Sequence, residues 1–573
     1  MNIYEDIRKS LISIATLLGV NEQDVIDKIS VEPPKDELFG DVATNIAMIF
    51  AKILKKPPVD IAKIVKVELL KNQFIKEVEI AGPGFINLKL DELVWHQCCK
   101  YILESDSEYG SSNIGSFKKI NIEYVSANPT GPMHIGHARG AVFGDSLANL
   151  LDFVGYDVTR EYYINDAGKQ VINLAKSVYI RYLNLLNIPN DGFTEDLYPG
   201  EYLKGVAEKI HSDYGDKFVN KSEPEWLSLF KNISIKYMMD LIKKDLSSIN
   251  VHHDLFTSEE EIHNKGYINS IIKILDKKNL LYNGVLNAPK GKLKEDWESR
   301  PQLLFKSTKF DDDVDRPLQK SDKSWTYFAA DAAYHYDKYM RDYASIINVW
   351  GADHGGYVKR VEGVIKAVSE KKINFEVKLC QLVNLSNDGK PVKMSKREGN
   401  FITMREVIDS VGADVLRFIM LTRKNDASLD FDMTKVKEES RENPVYYVQY
   451  AYARINSLFL KAKNLKIKNK DINFSLLKTS EEINLMKLMA KWPRFVEAAA
   501  NAQEPHRITI FLNDLSSSFH ASWSKGNEDV KLRYIVEDDL NITNARLGLA
   551  KAVQKIIGIG LKILGVKPME KLN

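Results

Sequence analysis

Residues 118–154, KKINIEYVSANPTGPMHIGHARGAVFGDSLANLLDFV, change their apolar period part-way along. Ile120, Ile122 and Tyr124 alternate with polar neighbours, the pattern of a strand. Ser126 to Gly131 is polar and rich in Gly and Pro, which predicts a turn. From His134 the spacing is helical, with Val142, Leu147, Leu150, Leu151 and Val154 on one apolar stripe. A strand therefore passes through a turn into a helix whose first residues include His134, Gly136 and His137. The unpaired N–H groups and the positive dipole end of such a helix suit an anion. Gly136 allows a backbone or a flat ring to approach closely. Two imidazoles three residues apart can face one ligand.

Working outward, Gly155 to Ile164 reads as a second strand and Asn165-Asp166-Ala167-Gly168 as its turn, with a helix from Lys169. Strands alternating with helices at this pace imply a parallel sheet of Rossmann type, which binds ligands at the carboxyl ends of its strands. Ser177 to Asp254 is helical and reads as an insertion, either a substrate clamp or plain scaffold. Ile346 to Trp350 is a further strand, ending in Gly351-Ala352-Asp353-His354. Val377 to Leu385 is another, followed by the turn Ser386-Asn387-Asp388-Gly389 and then by Lys393-Met394-Ser395-Lys396-Arg397. Three cations in five residues suit either a solvated loop or the charge that moves to a leaving pyrophosphate.

Residues 1–113 read as a separate α+β unit, helical over Met1–Leu18 and Val42–Leu70, with a turn entering a short strand between Val78 and Leu90. In that strand Phe85, Asn87 and Lys89 alternate with Ile86 and Leu88. Phe85 beside Asn87 suits an unpaired base, stacked and hydrogen-bonded, or else Phe85 is core. Ser105 to Gly115 reads as a linker. Beyond Glu439 strand signals vanish, and Pro444–Leu460, Glu482–Ala499, Arg507–Ser522 and Asn544–Leu564 are helical by spacing. Lysines 461, 463, 466, 468 and 470 crowd one connection, as a solvated run or a phosphate contact. The expected fold is multidomain α/β: an N-terminal α+β domain, a Rossmann-type parallel-sheet core over 114–438 and an all-α domain over 439–573.

Composition agrees with a soluble globular chain. Its 573 residues are too many for one core, 44% are hydrophobic and 28% charged. Lys+Arg 80 against Asp+Glu 78 announces no polyanion partner, so any RNA contact must come from local patches. Cys98, Cys99 and Cys380 make no disulfide framework and match no zinc spacing, so a reducing compartment and no zinc are expected. Ile3, Ile7, Leu11, Ile14 and Leu18 form an amphipathic stripe rather than a signal peptide, and no apolar run reaches membrane-spanning length. A cytoplasmic protein without membrane partners is expected.

His134-Ile135-Gly136-His137 resembles the HIGH signature of class I aminoacyl-tRNA synthetases, and Lys393 to Arg397 resembles their KMSKS loop with Arg397 in place of the final Ser. The run Ser126 to Pro132, the Asn165–Gly168 turn, Gly351-Ala352-Asp353-His354, Gly412-Ala413-Asp414-Val415-Leu416-Arg417 and Asn443 to Tyr450 are similar to the arginyl-tRNA synthetase family. The resemblance covers nearly the whole chain. It departs at His354-Gly355, where relatives often carry two histidines.

What the resemblance implies is an arginine–tRNA ligase. ATP, with Mg²⁺, would activate L-arginine to arginyl-adenylate. The 2′-hydroxyl at the 3′-terminal adenosine of tRNA-Arg would then take the arginyl group, releasing AMP. His134, His137, Lys393 and Lys396 would be catalytic. Gly136, Asp353, Met394 and Ser395 would join them around ATP. Arginine would lie among Glu123, Asn128, His137, Tyr327, Asp331 and His354, because a guanidinium with five donors calls for carboxylates and other acceptors. Phe85 and Asn87 would meet the tRNA elbow, and the C-terminal helices the anticodon. The family expectation is a monomer that needs bound tRNA before it activates arginine.

Overall fold

The computed structural model describes residues 1–34, 36–106, 108–286, 298–370, 373–392, 402–440, 442–465, 467 and 472–571. Lys393 to Arg397 lie outside the described residues, as do Lys466, Lys468 and Lys470.

The core sheet has five strands: β1 (Lys119–Glu123), β2 (Asp157–Ile164), β3 (Leu255–Ser258), β4 (Ser345–Gly351) and β5 (Asn374–Cys380). All neighbours pair in parallel, in the order β5-β4-β1-β2-β3. The chain therefore winds outward from β1 in one direction through β2 to β3, and later resumes on the other side of β1 at β4. The reversal places a crevice between the carboxyl ends of β1 and β4. Helix α1 (Ile135–Phe153) follows β1, α2 (Lys169–Leu185) follows β2, and α3 (Tyr327–Met340) precedes β4. The predicted stripe on α1 is buried, but so are Arg139, Asp145 and Ser146, because elements pack around most of that helix.

Several expectations are corrected. Val42–Thr44 is not helical. It is a strand held between Val31–Glu32 and Phe85–Leu90, an example of tertiary pairing overriding local spacing. The remaining stretch is two helices, Ile46–Leu54 and Pro58–Leu69, parted at Lys55 (φ 49°) just ahead of the Pro57-Pro58 pair. The strand near Val78–Leu90 is a hairpin of Ile75–Ala81 and Phe85–Leu90. Its turn needs Gly84, whose φ is +134° and where a Cβ would stand 2.7 Å from Pro58 Cβ.

The Ser105–Gly115 linker is packed rather than free: Tyr109 is buried, donates its hydroxyl to the Met489 carbonyl at 3.3 Å, and accepts Trp492 Nε1 at 2.9 Å. Val377–Leu385 belongs to two sheets. Cys380 ends β5, and Val383–Asn387 pairs with Leu429–Asp432 and Lys390–Pro391. A three-stranded antiparallel sheet of Leu281–Gly284, Gln302–Phe305 and Arg316–Gln319 was not foreseen. In the C-terminal bundle, the expected helix at Glu482–Ala499 is two, Ser480–Ala490 and Trp492–Ala502, with Pro493 in the first turn of the second.

Arg417 joins these parts. Fully buried, it donates to the Leu564 carbonyl (2.8 Å), the Ile249 carbonyl (2.7 Å) and Asp145 (2.5 Å). It thereby ties α1 to the insertion's last helix, Glu223–Ser248, and to the end of the C-terminal helix, Leu540–Ile563. The insertion has its own core of Leu174, Val178, Tyr182, Leu203, Trp226 and Phe230. It reaches the signature turn through Tyr202, whose hydroxyl donates to the Thr130 carbonyl at 2.8 Å.

Candidate active site

The turn after β1 is strained at two β1-proximal residues: Val125 has φ 71° and Ser126 φ 40°. A β-branched residue in the left-handed region is costly and persists only where its surroundings hold it. Here the Ser126 hydroxyl donates to Glu123 Oε1 (2.9 Å) and accepts the Tyr163 N–H from β2 (3.0 Å). The turn delivers the chain to α1, where the two histidines form a reciprocal cap. His134 Nδ1 accepts the Gly136 N–H at 3.1 Å, and His137 Nδ1 accepts the His134 N–H at 3.2 Å. Their rings stack with centroids 3.8 Å apart. Because both Nδ1 atoms are acceptors, each neutral ring carries its proton on Nε2. Glycine at 136 is required: a Cβ there would lie 2.9 Å from His134 Cε1. Thr403, two residues beyond the Lys393–Phe401 stretch, forms a β-bridge with His134, and the Met404 N–H donates to the Met133 carbonyl at 2.8 Å. Thr403 and Met404 thus lie beside the histidines.

The second half of the site lies on α3. Its residues 327, 331, 334 and 338 fall on one helical face. Tyr327 is exposed and lies near Gly168, in the turn after β2, where an added Cβ would stand 3.8 Å from its ring. Asp331 Oδ2 accepts the hydroxyl of Tyr357 at 2.6 Å, which links α3 to the turn after β4. Glu123 is buried at the end of β1 and does not stand alone: Oε2 takes a 2.6 Å salt bridge from Lys338. The Lys338 ammonium also donates to Asn348 Oδ1 at 3.0 Å, and Asn348 Nδ2 meets His335 Nε2 at 2.8 Å. Burial, with Lys338 adding to it, pushes His335 down to about 4. A second buried carboxylate, Glu161 on β2, accepts from Arg341, Asn121 and Thr257. Burial pushes its pKa up, but Lys338 and Arg341 outweigh that and hold it below the usual carboxylate range.

The sequence-predicted residues divide into groups. Glu123 ends β1 bonded to Ser126, whereas Tyr327 and Asp331 stand on α3, Tyr327 near the Gly168 turn and Asp331 bonded to Tyr357. Asn128 is exposed on that turn and donates to Gln170 Oε1 of α2 at 2.8 Å. Asp353 and His354 lie beyond β4 on an exposed lip, with Asp353 Oδ2 and His354 Nε2 3.5 Å apart. Lys393, Met394, Ser395 and Lys396 lie outside the described residues. Phe85 and Asn87 sit in the N-terminal sheet. Phe85 is 42% exposed, whereas Asn87 is buried between Ala43 and Glu79, so only the phenylalanine is presented to a partner. Sequence reasoning missed Lys338 and Tyr357. Lys338 had a signal: it lies seven residues after Asp331, on the same helical face, with Ala332, Ala333 and Tyr334 buried between them.

The chain is similar to known proteins along its whole length. A family model described as the tRNA synthetases class I (R) catalytic domain matches residues 99–461. The arginyl tRNA synthetase N terminal domain matches 1–90, and the DALR anticodon binding domain 448–572. An arginine–tRNA ligase of Ruegeria pomeroyi is 50% identical over 550 residues, 95% of this chain and 94% of the relative. One of Parvibaculum lavamentivorans is 49% identical, covering 98% of each chain. The Thermus thermophilus arginyl-tRNA synthetase structure superposes with a TM-score of 0.74 at 18% identity, over 99% of this chain and 100% of that one, a likeness of fold. The chain belongs to the arginyl-tRNA synthetase family of class I aminoacyl-tRNA synthetases.

Proposed function

We propose that this chain joins L-arginine to tRNA-Arg at the expense of ATP, at the crevice between β1 and β4. The observation that carries the reading is the reciprocal histidine cap of α1, which follows the carboxyl end of β1 at the sheet's switch point. The arginine carboxylate attacks the α-phosphate, a new O–P bond forms, and pyrophosphate leaves. His134 and His137 meet the phosphates at the helix N-terminus with Nε2–H donors, and Gly136 leaves room for the nucleotide. Lys393 and Lys396, with Met394 and Ser395, close on the departing pyrophosphate. Asp353 contacts the nucleotide from the β4 lip.

Arginine is held by Asp331, Tyr327, Asn128, His137 and His354. Glu123 serves as a charge-balanced acceptor. The 2′-hydroxyl of the terminal adenosine then attacks the adenylate carbonyl and AMP leaves. Mg²⁺ enters with the triphosphate, its usual mode in phosphoryl chemistry. Among the described residues no group of three His, Cys, Asp or Glu side chains is placed to hold a metal ion.

We assign residues 1–113 to the tRNA elbow through Phe85, 114–438 to catalysis, and 439–573 to the anticodon. The protein works as a cytoplasmic monomer. Among the described residues no helix is long and apolar enough to cross a membrane. Pyrophosphate exchange into ATP, run with each amino acid and with or without tRNA, tests the reading. Exchange with arginine alone, and only with tRNA present, is expected. Exchange driven by a different amino acid overturns it.

A further inference from the structure

Tyr163, on β2, is buried, yet its hydroxyl has no hydrogen-bond partner among the described residues. Buried hydroxyls are nearly always paired, and one left unpaired costs the desolvation of a polar group. Its placement is also well defined. The Tyr163 N–H donates to Ser126 Oγ at 3.0 Å, next to Glu123, and its ring stacks on Tyr334 of α3 with centroids 4.2 Å apart. The phenol therefore lies between the end of β1 and the face of α3 that carries Asp331. Burial, with the carboxylates of Glu259, Asp331, Glu123 and Asp166 adding to it, holds its pKa well above the usual phenol value. Its neighbour Tyr162 points the other way and is satisfied, donating to the Ala127 carbonyl at 2.7 Å. The surrounding acids already have partners: Glu123 has Lys338, Asp166 accepts from Ser258 (2.6 Å) and from the Glu260 N–H (2.9 Å), Asp331 accepts the Tyr357 hydroxyl (2.6 Å), and Glu259 lies 3.6 Å from His263 Nε2.

From this placement we infer that Tyr163 is a further arginine-binding, specificity-determining residue, its hydroxyl oxygen accepting a guanidinium N–H at the floor of the pocket. This inference rests on the arginine pocket proposed above. A phenol suits the position because it stays neutral among carboxylates and offers lone pairs to a ligand that is all donor. It adds an acceptor without adding charge. Binding then supplies the partner that the free enzyme lacks.

The test is Tyr163→Phe in the full chain, with arginine KM measured in tRNA charging alongside thermal melting. The substitution keeps the stack on Tyr334 and removes only the oxygen. Arginine KM should rise about 10- to 100-fold, the worth of one hydrogen bond to a charged group. ATP KM should stay within about twofold. Melting temperature should hold or rise, since an unpaired buried polar atom is lost. An unchanged arginine KM overturns the inference, as does a fall in melting temperature with arginine and ATP affected alike, the mark of a merely structural tyrosine. Asp331→Asn, measured in parallel, separates two failures. If it raises arginine KM while Tyr163→Phe does not, only the role of Tyr163 is wrong. If neither variant moves arginine KM, the pocket is misplaced and the inference falls with it.

Discussion

The Lys338 ammonium lies 2.6 Å from Glu123 Oε2, with neither side chain more than 6% exposed. A buried pair of this kind is weak evidence of net stabilisation, but losing one partner strands the other charge. Lys338→Met should therefore destabilise the fold by about 3–5 kcal/mol. Adding Glu123→Gln removes the stranded charge and should restore much of the loss. Urea unfolding of the two single variants and the double variant checks this. Strictly additive losses would show that the two residues do not act as a pair.

Asp331 is the carboxylate of the α3 face that lies outside the Lys338 pair; its Oδ2 is held by the Tyr357 hydroxyl. Asp331→Ala should weaken arginine far more than ATP, by a few kcal/mol, roughly the cost of losing a charged partner of a desolvated cation. Arginine and ATP Michaelis constants in the exchange assay decide it. An arginine value within about twofold of the parent sinks the assignment.

Lys396 precedes by seven positions Thr403, which bridges to His134. Negative charge builds on the bridging oxygen only as pyrophosphate departs, so a lysine closing there binds the transition state better than ATP. Lys396→Ala should slow adenylate formation by about 10²–10³-fold with ATP affinity changed much less. Single-turnover rates separate the cases. A preserved rate with lost ATP affinity would make Lys396 a ground-state anchor.

Phe85 projects from the N-terminal hairpin, 42% exposed, so its loss should cost the fold little. Phe85→Ala should reduce tRNA charging at low tRNA concentration by the worth of one stack, about 1–3 kcal/mol. Asn87, buried beside it, should respond to substitution in stability instead. Charging that is untouched in Phe85→Ala, with a lowered melting temperature, would place Phe85 in the core.

His335 is buried and His253 half-buried, and desolvation pushes each down to about 4. Unfolded, each would titrate near the ordinary value of about 6.5. Between those values the unfolded chain binds protons that the native one does not. Stability should therefore be full above pH ~6.5 and fall as the pH drops toward ~4, by about 2 kcal/mol per histidine at pH 5. Denaturant midpoints across that range test the sign. A flat profile down to pH 4.5 would contradict it.

The strand–turn–helix at 118–154 was legible because its alternation and its helical stripe are local, and because both faces of each element end in a core. The two histidines stood out at a helix start, but their role toward phosphate came only from the family resemblance, and the bond each ring makes to a backbone N–H of its own turn was seen only in the structure. Glu123, Tyr327 and Asp331 lie far apart along the chain with no local pattern joining them, and only the resemblance to a family linked them. Tertiary structure alone decided the rest. Val42–Thr44 has helix-compatible spacing, yet it became a strand because two neighbouring strands supplied its hydrogen bonds. The run Val377–Leu385 was divided between two sheets, since the Gln381 N–H bonds the Asn425 carbonyl and turns the chain away from β5. Above all, Lys338 and Glu123 are 215 positions apart. No local pattern shows that one cancels the other's charge, because a buried ion pair is a property of the space between elements and not of either element alone.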